Sequence, residues 1–302
     1  MFIIRYRKIL TISSALFALL CFCTIFVYGL PLGIDFTGGS IVEVSYRGER
    51  PSNEAIEEKL NVLSLGTYQL QPTGENRFII STKTLSEAEH LSVLDAFSLS
   101  KTTEAVEERF NTVGPLIGDE LRRKALFAIF AVLLGIVSFV AFAFRKVSRP
   151  VASWKYGLAT LLSLAHDVLI PTGVFVVLGH MGITKIDILF VTGILAVLAY
   201  SVHDTIVVFD RVRENLRVNE EHRKKESFDI TVGRSLMQTF GRSINTSLTI
   251  FIVLVALFFF GSESTKFFNL LLLVGVVAGT YSSIFLAAPF LVLIHDRQEK
   301  KT

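Results

Sequence analysis

Two aspartates lie within long apolar runs of the sequence, and each directly follows a histidine: Asp167 follows His166, and Asp204 follows His203. A carboxylate inside a membrane span is costly and therefore points to function. Burial and a neighbouring cation can both move the pKa of such a group. It can then take up a proton from one side of a membrane and release it to the other. The two His-Asp pairs therefore indicate a proton relay.

Polar residues at helical spacing accompany Asp204 in its own run and begin the next one. Residues three and four positions apart share a helix face, and Asp204 has polar neighbours at that spacing. Because consecutive spans cross in opposite directions, we expect the polar residues of the next run at roughly the depth of Asp204. The predicted relay consists of Asp204, Arg242 and Asp167. The supporting polar stripe consists of Tyr200, Ser201, His203, Thr205, Asn245, Thr246 and Thr249.

These residues also have a plainer interpretation. Polar side chains in membrane bundles often only join helices, at about 0.6 kcal/mol per hydrogen bond. The hydroxyl residues that fit this role are Ser201, Thr205, Ser243 and Ser247. For Asp167, joining helices and a transport role are equally open. Arg242 could simply extend to the cytoplasmic boundary. His203 faces away from much of the stripe. Asp204 differs, because a carboxylate deep in a span is a poor choice for joining helices.

The composition is that of a membrane protein. Of the 302 residues, 51% are hydrophobic and the mean hydropathy is +0.54, whereas a soluble domain is usually less apolar and richer in charge. The basic residues fall between apolar runs, which disfavours nucleic-acid binding. The sequence contains no P-loop, no H-E-x-x-H and no clustered Cys/His set. We therefore predict neither an enzyme nor a metal or cofactor site.

Runs of roughly 20 apolar residues predict six membrane spans, at 9–30, 124–144, 156–178, 187–209, 243–260 and 267–294. The first run is longer than a signal-peptide core and is closed by no small-residue cleavage site, so we interpret it as a retained anchor. Its two cysteines, Cys21 and Cys23, are interpreted as apolar fillers.

Basic residues predict the orientation of the spans, because Lys and Arg concentrate on the cytoplasmic side. They cluster in the amino-terminal tail, the second and fourth connections and the carboxyl-terminal tail. Those outside the fourth connection are Arg5, Arg7, Lys8, Arg145, Lys146, Arg149, Lys155, Arg297, Lys300 and Lys301. The two short loops on the opposite side carry only Lys185 and Lys266. We predict an inner-membrane protein with both termini in the cytoplasm, although residues 122–124, at the end of a long translocated segment, are also basic.

The polar stretch between the first two spans is long enough for a small domain. It predicts strands at 41–46, 67–71, 77–82 and 103–113, with a turn at 72–74. Helices are predicted at 52–63, with Ser52 as cap, and at 86–97, where Ser86 and Glu89 form a capping box. The order βαββαβ indicates a small α+β ferredoxin-like extracytoplasmic domain between transmembrane helices 1 and 2.

The predicted domains follow from these elements. Residues 1–32 form the cytoplasmic amino terminus and transmembrane helix 1, and residues 33–123 form the extracytoplasmic domain. Residues 124–294 form transmembrane helices 2–6 with a cytoplasmic loop at 211–241, and residues 295–302 form a cytoplasmic tail.

Four stretches of the sequence resemble a known family. They are GIDFTGG at 33–39, VGPLIG at 113–118, LAHDV at 164–168 and YSVHDTIVVFDRVREN at 200–215, the last continued by SLMQT at 235–239 and RSINTSLT at 242–249. Together they resemble the SecF subunits of bacterial SecD–SecF export complexes, a branch of the resistance-nodulation-division transporters. His203 and Gly233 depart from that pattern, since relatives commonly have Asn at both positions.

The resemblance implies a protein-export accessory subunit that uses the proton-motive force to help polypeptides through the Sec translocon. It implies SecD as a six-span partner, the SecYEG translocon, YajC and a YidC-type insertase as further partners, and an unfolded polypeptide as cargo. The family's proton-carrying aspartate falls on Asp204, its fifth-span arginine on Arg242, and the aspartate of its third-span His-Asp motif on Asp167.

Glycine placement gives a hypothesis for movement. Gly33, Gly38 and Gly39 on one side and Gly114 with Pro115 on the other join the extracytoplasmic domain to the first two spans, so we expect hinges there. Two other functions remain open. A proton-driven exporter of lipids or small amphiphiles would use the same relay with larger outer loops, and a non-transporting translocon scaffold would tolerate a neutral residue at Asp204.

Overall fold

The structure is a computed structural model that describes residues 2–98, 105–145 and 152–299. Residues 103 and 104 of the predicted last strand lie outside the described residues. So do the basic residues Lys146, Arg149, Lys300 and Lys301 of the orientation prediction.

The described residues form eleven α-helices and four strands. The helices are α1 Phe2–Arg5, α2 Arg7–Tyr28, α3 Ile34–Thr37, α4 Asn53–Asn61, α5 Glu87–Phe97, α6 Pro115–Ala143, α7 Ser153–His180, α8 Ile188–Glu221, α9 Phe228–Phe260, α10 Lys266–Ser282 and α11 Ala288–Glu299. The strands are β1 Gly39–Tyr46, β2 Gln69–Thr73, β3 Arg77–Thr82 and β4 Ala105–Val113. A 3₁₀ turn precedes α10, and one π-helical stretch, Ser283–Ala287, joins α10 to α11.

Six helical segments of the described chain are long and apolar enough to cross a membrane, which confirms the predicted number of spans. They are Arg7–Tyr28, Pro115–Ala143, Ser153–His180, Ile188–Glu221, Phe228–Phe260 and Glu263–Asp296. The chain is therefore a multi-pass membrane protein.

Three helices extend beyond the predicted spans. Helix α6 begins at Pro115 instead of 124, so residues 115–123 are helical. Helix α8 continues to Glu221 and α9 begins at Phe228, so most of the predicted loop 211–241 is helix as well. Hydropathy detects only the apolar middle of a helix, and these charged ends are supported by contacts such as the 2.7 Å ion pair from Lys124 to Glu120, one turn apart.

The chain divides into two compact units. The helical unit comprises Met1–Leu30, Ala128–Thr184 and Leu189–Thr302. Its largest described core contains an aromatic group in which Tyr156 stacks on Phe144 at a centroid distance of 5.0 Å and meets Phe209 edge-on at 5.3 Å. Such aromatic pairs contribute about 0.5–1.5 kcal/mol beyond the burial of their area.

The α+β unit comprises Pro31–Phe127 and Lys185–Ile188. Its strands lie in the order β2-β3-β1-β4 and are antiparallel throughout. Alternate residues of β1 and β3, including the paired Val42 and Ile80, are fully buried under α4 and α5. The element order is the predicted βαββαβ.

Local signals in the α+β unit predicted the helix starts correctly. Ser52 accepts a hydrogen bond from the Ala55 amide at 3.3 Å, and Ser86 with Glu89 forms the expected capping box. The predicted turn at 72–74 is wrong, because Pro72 lies inside β2 and the turn follows at 74–76. A proline is tolerated there since β2 is an edge strand.

Candidate functional site

Asp167 is completely buried in the helical unit and both of its carboxylate oxygens have partners. Oδ2 accepts hydrogen bonds from Ser201 of α8 and, at 2.7 Å, from Ser282 of α10. Oδ1 lies 2.9 Å from His166 Nδ1. Ser282 also bonds to Ser163 of α7 at 2.9 Å. Asp167 therefore joins three membrane helices through a satisfied polar cluster.

Asp204 is also buried, with 3% of the residue exposed, but its surroundings differ. Its Oδ2 has no hydrogen-bond partner among the described residues, and the same holds for Thr205 Oγ1 and Ser243 Oγ. Ser243 of α9 lies close to the carboxylate without meeting hydrogen-bond geometry, and His203 and Arg242 lie within electrostatic range. Leaving a buried polar group unpaired costs about 1–3 kcal/mol, and more for a charged group. A bound proton or a water molecule at Asp204 would remove this cost.

Ser247 forms a second junction, one turn along α9 from Ser243. Its Oγ lies 2.5 Å from the Tyr200 hydroxyl on α8 and accepts a hydrogen bond from Thr280 of α10 at 2.7 Å. The residue also donates to the Ser243 carbonyl at 2.8 Å. This junction fixes the register of α8, α9 and α10 next to Asp204.

The predicted polar stripe of α9 does not face into the chain's own bundle. Arg242, Asn245, Thr246 and Thr249 are exposed in this chain, as is His203 of α8. The face that packs inward instead carries a hydroxyl residue at every fourth position. These buried residues are Thr231, Ser235, Thr239, Ser243 and Ser247.

Three hydroxyl residues that contribute to these polar contacts were not predicted from the sequence. Ser163, Thr280 and Ser282 contribute hydroxyls from α7 and α10 but stand in runs read as apolar spans. A hydroxyl residue at every fourth position of α9 is a sequence pattern that could have identified its inward face. Of the predicted residues, the structure brings Ser201 to Asp167 and Tyr200 to Ser247, whose hydroxyl lies on the inward face.

Past the polar residues around Asp167, Asp204 and Ser247, α8 and α9 continue side by side and are joined by buried side-chain amides. Asn215 Nδ2 donates to Ser235 Oγ and to Gln238 Oε1, both at 2.8 Å. Asn219 Nδ2 donates to Glu226 Oε2 at 2.7 Å and to Thr231 Oγ1 at 3.1 Å. These contacts hold the two helices in one register from the Asp204 level to the connection between them.

The predicted hinge residues lie in the α+β unit, and most of them are tightly packed. A Cβ at Gly38 would come within 2.8 Å of the Pro115 Cα, and one at Gly39 within 2.6 Å of the Thr82 carbonyl. Both glycines have positive φ values, which glycine adopts most readily. Gly114 is open, with no atom within 4 Å of an added Cβ.

The fold and the site define a multi-pass membrane protein whose central helices share a buried polar cluster. Two family profiles match the chain: the SecD/SecF GG motif at residues 24–48, and the C-terminal part of the protein export membrane proteins SecD/SecF at residues 94–297. The chain belongs to the SecD/SecF family of protein-export membrane proteins, and within it to the SecF subunits of the Sec-pathway translocase.

Individual relatives agree with this assignment. The protein translocase subunit SecF of Thermobaculum terrenum is 40% identical over 96% of this chain and 92% of its own length. The protein translocase subunit SecF of Haemophilus influenzae is 37% identical over 94% of this chain and 82% of its own length.

The fold is similar to that of a solved chain. The crystal structure of SecDF, a translocon-associated membrane protein from Thermus thermophilus, matches with a TM-score of 0.82 and 29% identity. The match covers 97% of this chain, which spans 38% of the SecDF chain.

Proposed function

We propose that this chain is the proton-carrying SecF half of a SecDF machine that helps polypeptides leave the cytoplasm through the Sec translocon. The observation that carries the proposal is the buried Asp204 carboxylate, whose Oδ2 has no partner among the described residues and which stands beside the equally unpartnered hydroxyls of Thr205 and Ser243. A proton can bind at Oδ2 or leave it without breaking a hydrogen bond to the described residues.

Asp167 complements Asp204 in this proposal. Its oxygens already contact two serine hydroxyls and a histidine, so the charged form of Asp167 is stabilised by existing hydrogen bonds. We retain Asp167 in the relay as the residue that positions α8. Proton binding and release take place at Asp204.

The exposed stripe of α9 supports a membrane partner. Arg242, Asn245, Thr246 and Thr249 lie on the exposed face of a helix that is long and apolar enough to span a membrane. Polar and charged groups at membrane depth almost always face protein or water instead of lipid. We assign this face to SecD, which fits the greater length of the matching SecDF chain. Arg242 would then lie between the two halves, within electrostatic range of Asp204.

The remaining partners and the orientation belong to the same proposal. SecYEG, YajC and a YidC-type insertase are the expected neighbours, and an unfolded polypeptide is the expected cargo. The basic tails and connections support an orientation with both termini in the cytoplasm and the α+β unit on the outer side of the inner membrane. The strand order β2-β3-β1-β4 with two helices on one face supports a ferredoxin-like class for that unit.

The energy available is adequate for coupling. One charge that crosses 100 mV releases about 2.3 kcal/mol. At about 1.4 kcal/mol per factor of ten, this amount shifts an equilibrium between two conformations by more than tenfold. Proton passage at Asp204 can therefore bias the complex between two poses.

Asp204→Asn tests the proposal. The variant is assembled with SecD in membrane vesicles, and export of a preprotein is measured with and without a proton gradient. We expect the gradient-dependent part of export to be lost while the ATP-driven part remains, because asparagine cannot carry a proton. The matched control is Asp210→Asn, an exposed aspartate of the same helix that pairs with Arg213 at 2.9 Å. Unchanged gradient dependence in Asp204→Asn would leave the scaffold function as the better account.

A further inference from the structure

The segment that enters the α+β unit is hydrogen-bonded to the connection between α7 and α8. The Ile186 amide donates to the Pro31 carbonyl at 2.7 Å, and the Gly33 amide donates to the Ile186 carbonyl at 2.7 Å. Leu32 and Ile186 thereby form a parallel β-bridge. A Cβ at Gly33 would lie 3.2 Å from the Ile186 carbonyl oxygen, so the close approach of the two backbones favours glycine.

Asp35 adds a side-chain contact at the start of α8. Its Oδ2 accepts a hydrogen bond from the Ile188 amide at 3.0 Å, and Ile188 is the first residue of that helix. The first amides of a helix have no partner inside the helix, and the positive end of the helix dipole lies there. A carboxylate at this position therefore holds the helix end by a hydrogen bond and by charge.

We infer that residues 31–35 and 186–188 form a clasp that stays closed during the work of the protein, and that Asp35 is a positioning residue for α8. Both sides of the clasp belong to the α+β unit. Helix α8 is continuous from Ile188 and carries Asp204 sixteen residues further on, about 24 Å along its axis. A displacement of α8 that accompanies proton binding at Asp204 would be transmitted to the clasp. The inference rests on the proposed function.

The clasp changes the expected site of bending. Gly33 was predicted as a hinge, but its amide is bonded and its Cα is closely approached by the Ile186 backbone. Gly29 has a φ of +71°, has no atom within 4 Å of an added Cβ, and lies just before the boundary between the two units at Leu30 and Pro31. Of the two glycines, Gly29 therefore has more room for a change of backbone conformation than Gly33.

A reversible crosslink tests whether the clasp stays closed. Leu32→Cys with Ile186→Cys is introduced into a background in which Cys21 and Cys23 are alanine, since adjacent strands lie about 4.8 Å apart and a disulfide accepts Cα separations of about 4.4–6.8 Å. Gradient-dependent export by the oxidised variant should stay within twofold of the Leu32→Cys single variant. A tenfold loss that a reductant restores would show that the strands must separate, and the inference would be wrong.

The rate of disulfide formation gives a readout that is independent of export. A closed clasp predicts equal rates with and without a proton gradient. With the pH on the side of the thiols held equal, because the thiolate fraction depends on pH, a gradient-dependent rate would contradict it even if Asp204 carried no proton.

Asp35 is tested by Asp35→Ala and the conservative Asp35→Asn, with Asp204→Asn in parallel. Alanine removes the acceptor, so we expect hydrogen exchange of the Ile188 amide to rise at least tenfold and gradient-dependent export to fall at least fivefold at equal protein level. Asparagine keeps an acceptor oxygen, so Asp35→Asn should retain most of the protection of the Ile188 amide and most of the gradient-dependent export.

The outcomes separate the two ideas. If Asp204→Asn abolishes gradient dependence while Asp35→Ala does not change it, the positioning role of Asp35 is refuted and the proposed function stands. If Asp204→Asn has no effect, the proposed function fails, and the clasp is then decided by the exchange and crosslinking rates.

Discussion

Ser201 of α8 donates a hydrogen bond to Asp167 Oδ2 of α7, one helical turn before Asp204. The contact joins a hydrogen-bonded carboxylate of α7 to α8 about one turn before Asp204, whose Oδ2 has no partner among the described residues. In the proposed function the two carboxylates have separate tasks: Asp167 fixes the position of α8, and Asp204 binds and releases the proton.

The two aspartates should respond oppositely to neutral replacement. Asp167→Asn gives up charge-assisted hydrogen bonds from Ser201 and Ser282, so we expect a loss of about 1–3 kcal/mol in the free energy of unfolding. Asp204→Asn removes a buried carboxylate whose Oδ2 has no partner among the described residues, and should leave stability unchanged or raise it. Thermal unfolding of the purified proteins in detergent measures both. A common shift of the two variants in the same direction would contradict the division of tasks.

Close packing of α8 against α10 predicts a sharp effect at Gly275. A Cβ there would lie 2.1 Å from Val197 Cγ2, so Gly275→Ala forces the helices apart or Val197 out of its rotamer. We expect a destabilisation of about 1–3 kcal/mol. Adding Val197→Ala to the Gly275→Ala variant should recover part of the lost stability.

Gly135 of α6 provides the matched control for that substitution. It is also a helical glycine, but no atom lies within 4 Å of an added Cβ. Gly135→Ala should leave stability unchanged or raise it by about 0.5–1 kcal/mol through helix propensity. Equal losses at Gly135 and Gly275 would show that packing is not the cause.

The amide of Asn215 predicts a local effect at the connected ends of α8 and α9. Asn215→Ala removes two hydrogen bonds and leaves Ser235 and Gln238 without this donor, at a cost of about 1–3 kcal/mol. We expect faster hydrogen exchange and faster proteolysis around residues 222–227. The control is Glu220→Ala, an exposed change on the same helix. Equal protection in Asn215→Ala and the unchanged protein would argue against the joining role.

Sequence reasoning recovered the six spans and the element order of the α+β unit because hydropathy and capping are local signals. It did not identify the inward face of α9, because two stripes of polar residues run along that helix. Contacts with α8 and α10, such as that of Ser247 with Tyr200 and Thr280, decide which stripe is buried. Ser282 lies 115 positions from Asp167 in the sequence, and no local pattern links the two.

The pKa of Glu89 predicts how the α+β unit responds to acid. Its carboxylate accepts from Lys83 Nζ at 2.7 Å and from the Ser86 amide and hydroxyl, each at 2.9 Å, and these contacts lower its pKa from 4.5 to about 2. A lowered folded-state pKa gives stabilisation that is complete above the unfolded value and is lost as the pH falls through the folded one. Protection of the α5 amides should therefore decline between about pH 4.5 and 2. Hydrogen exchange of the full chain measures the decline, and Glu89→Gln should flatten it. A pH dependence that persisted in Glu89→Gln would have to come from another carboxylate and would refute this assignment.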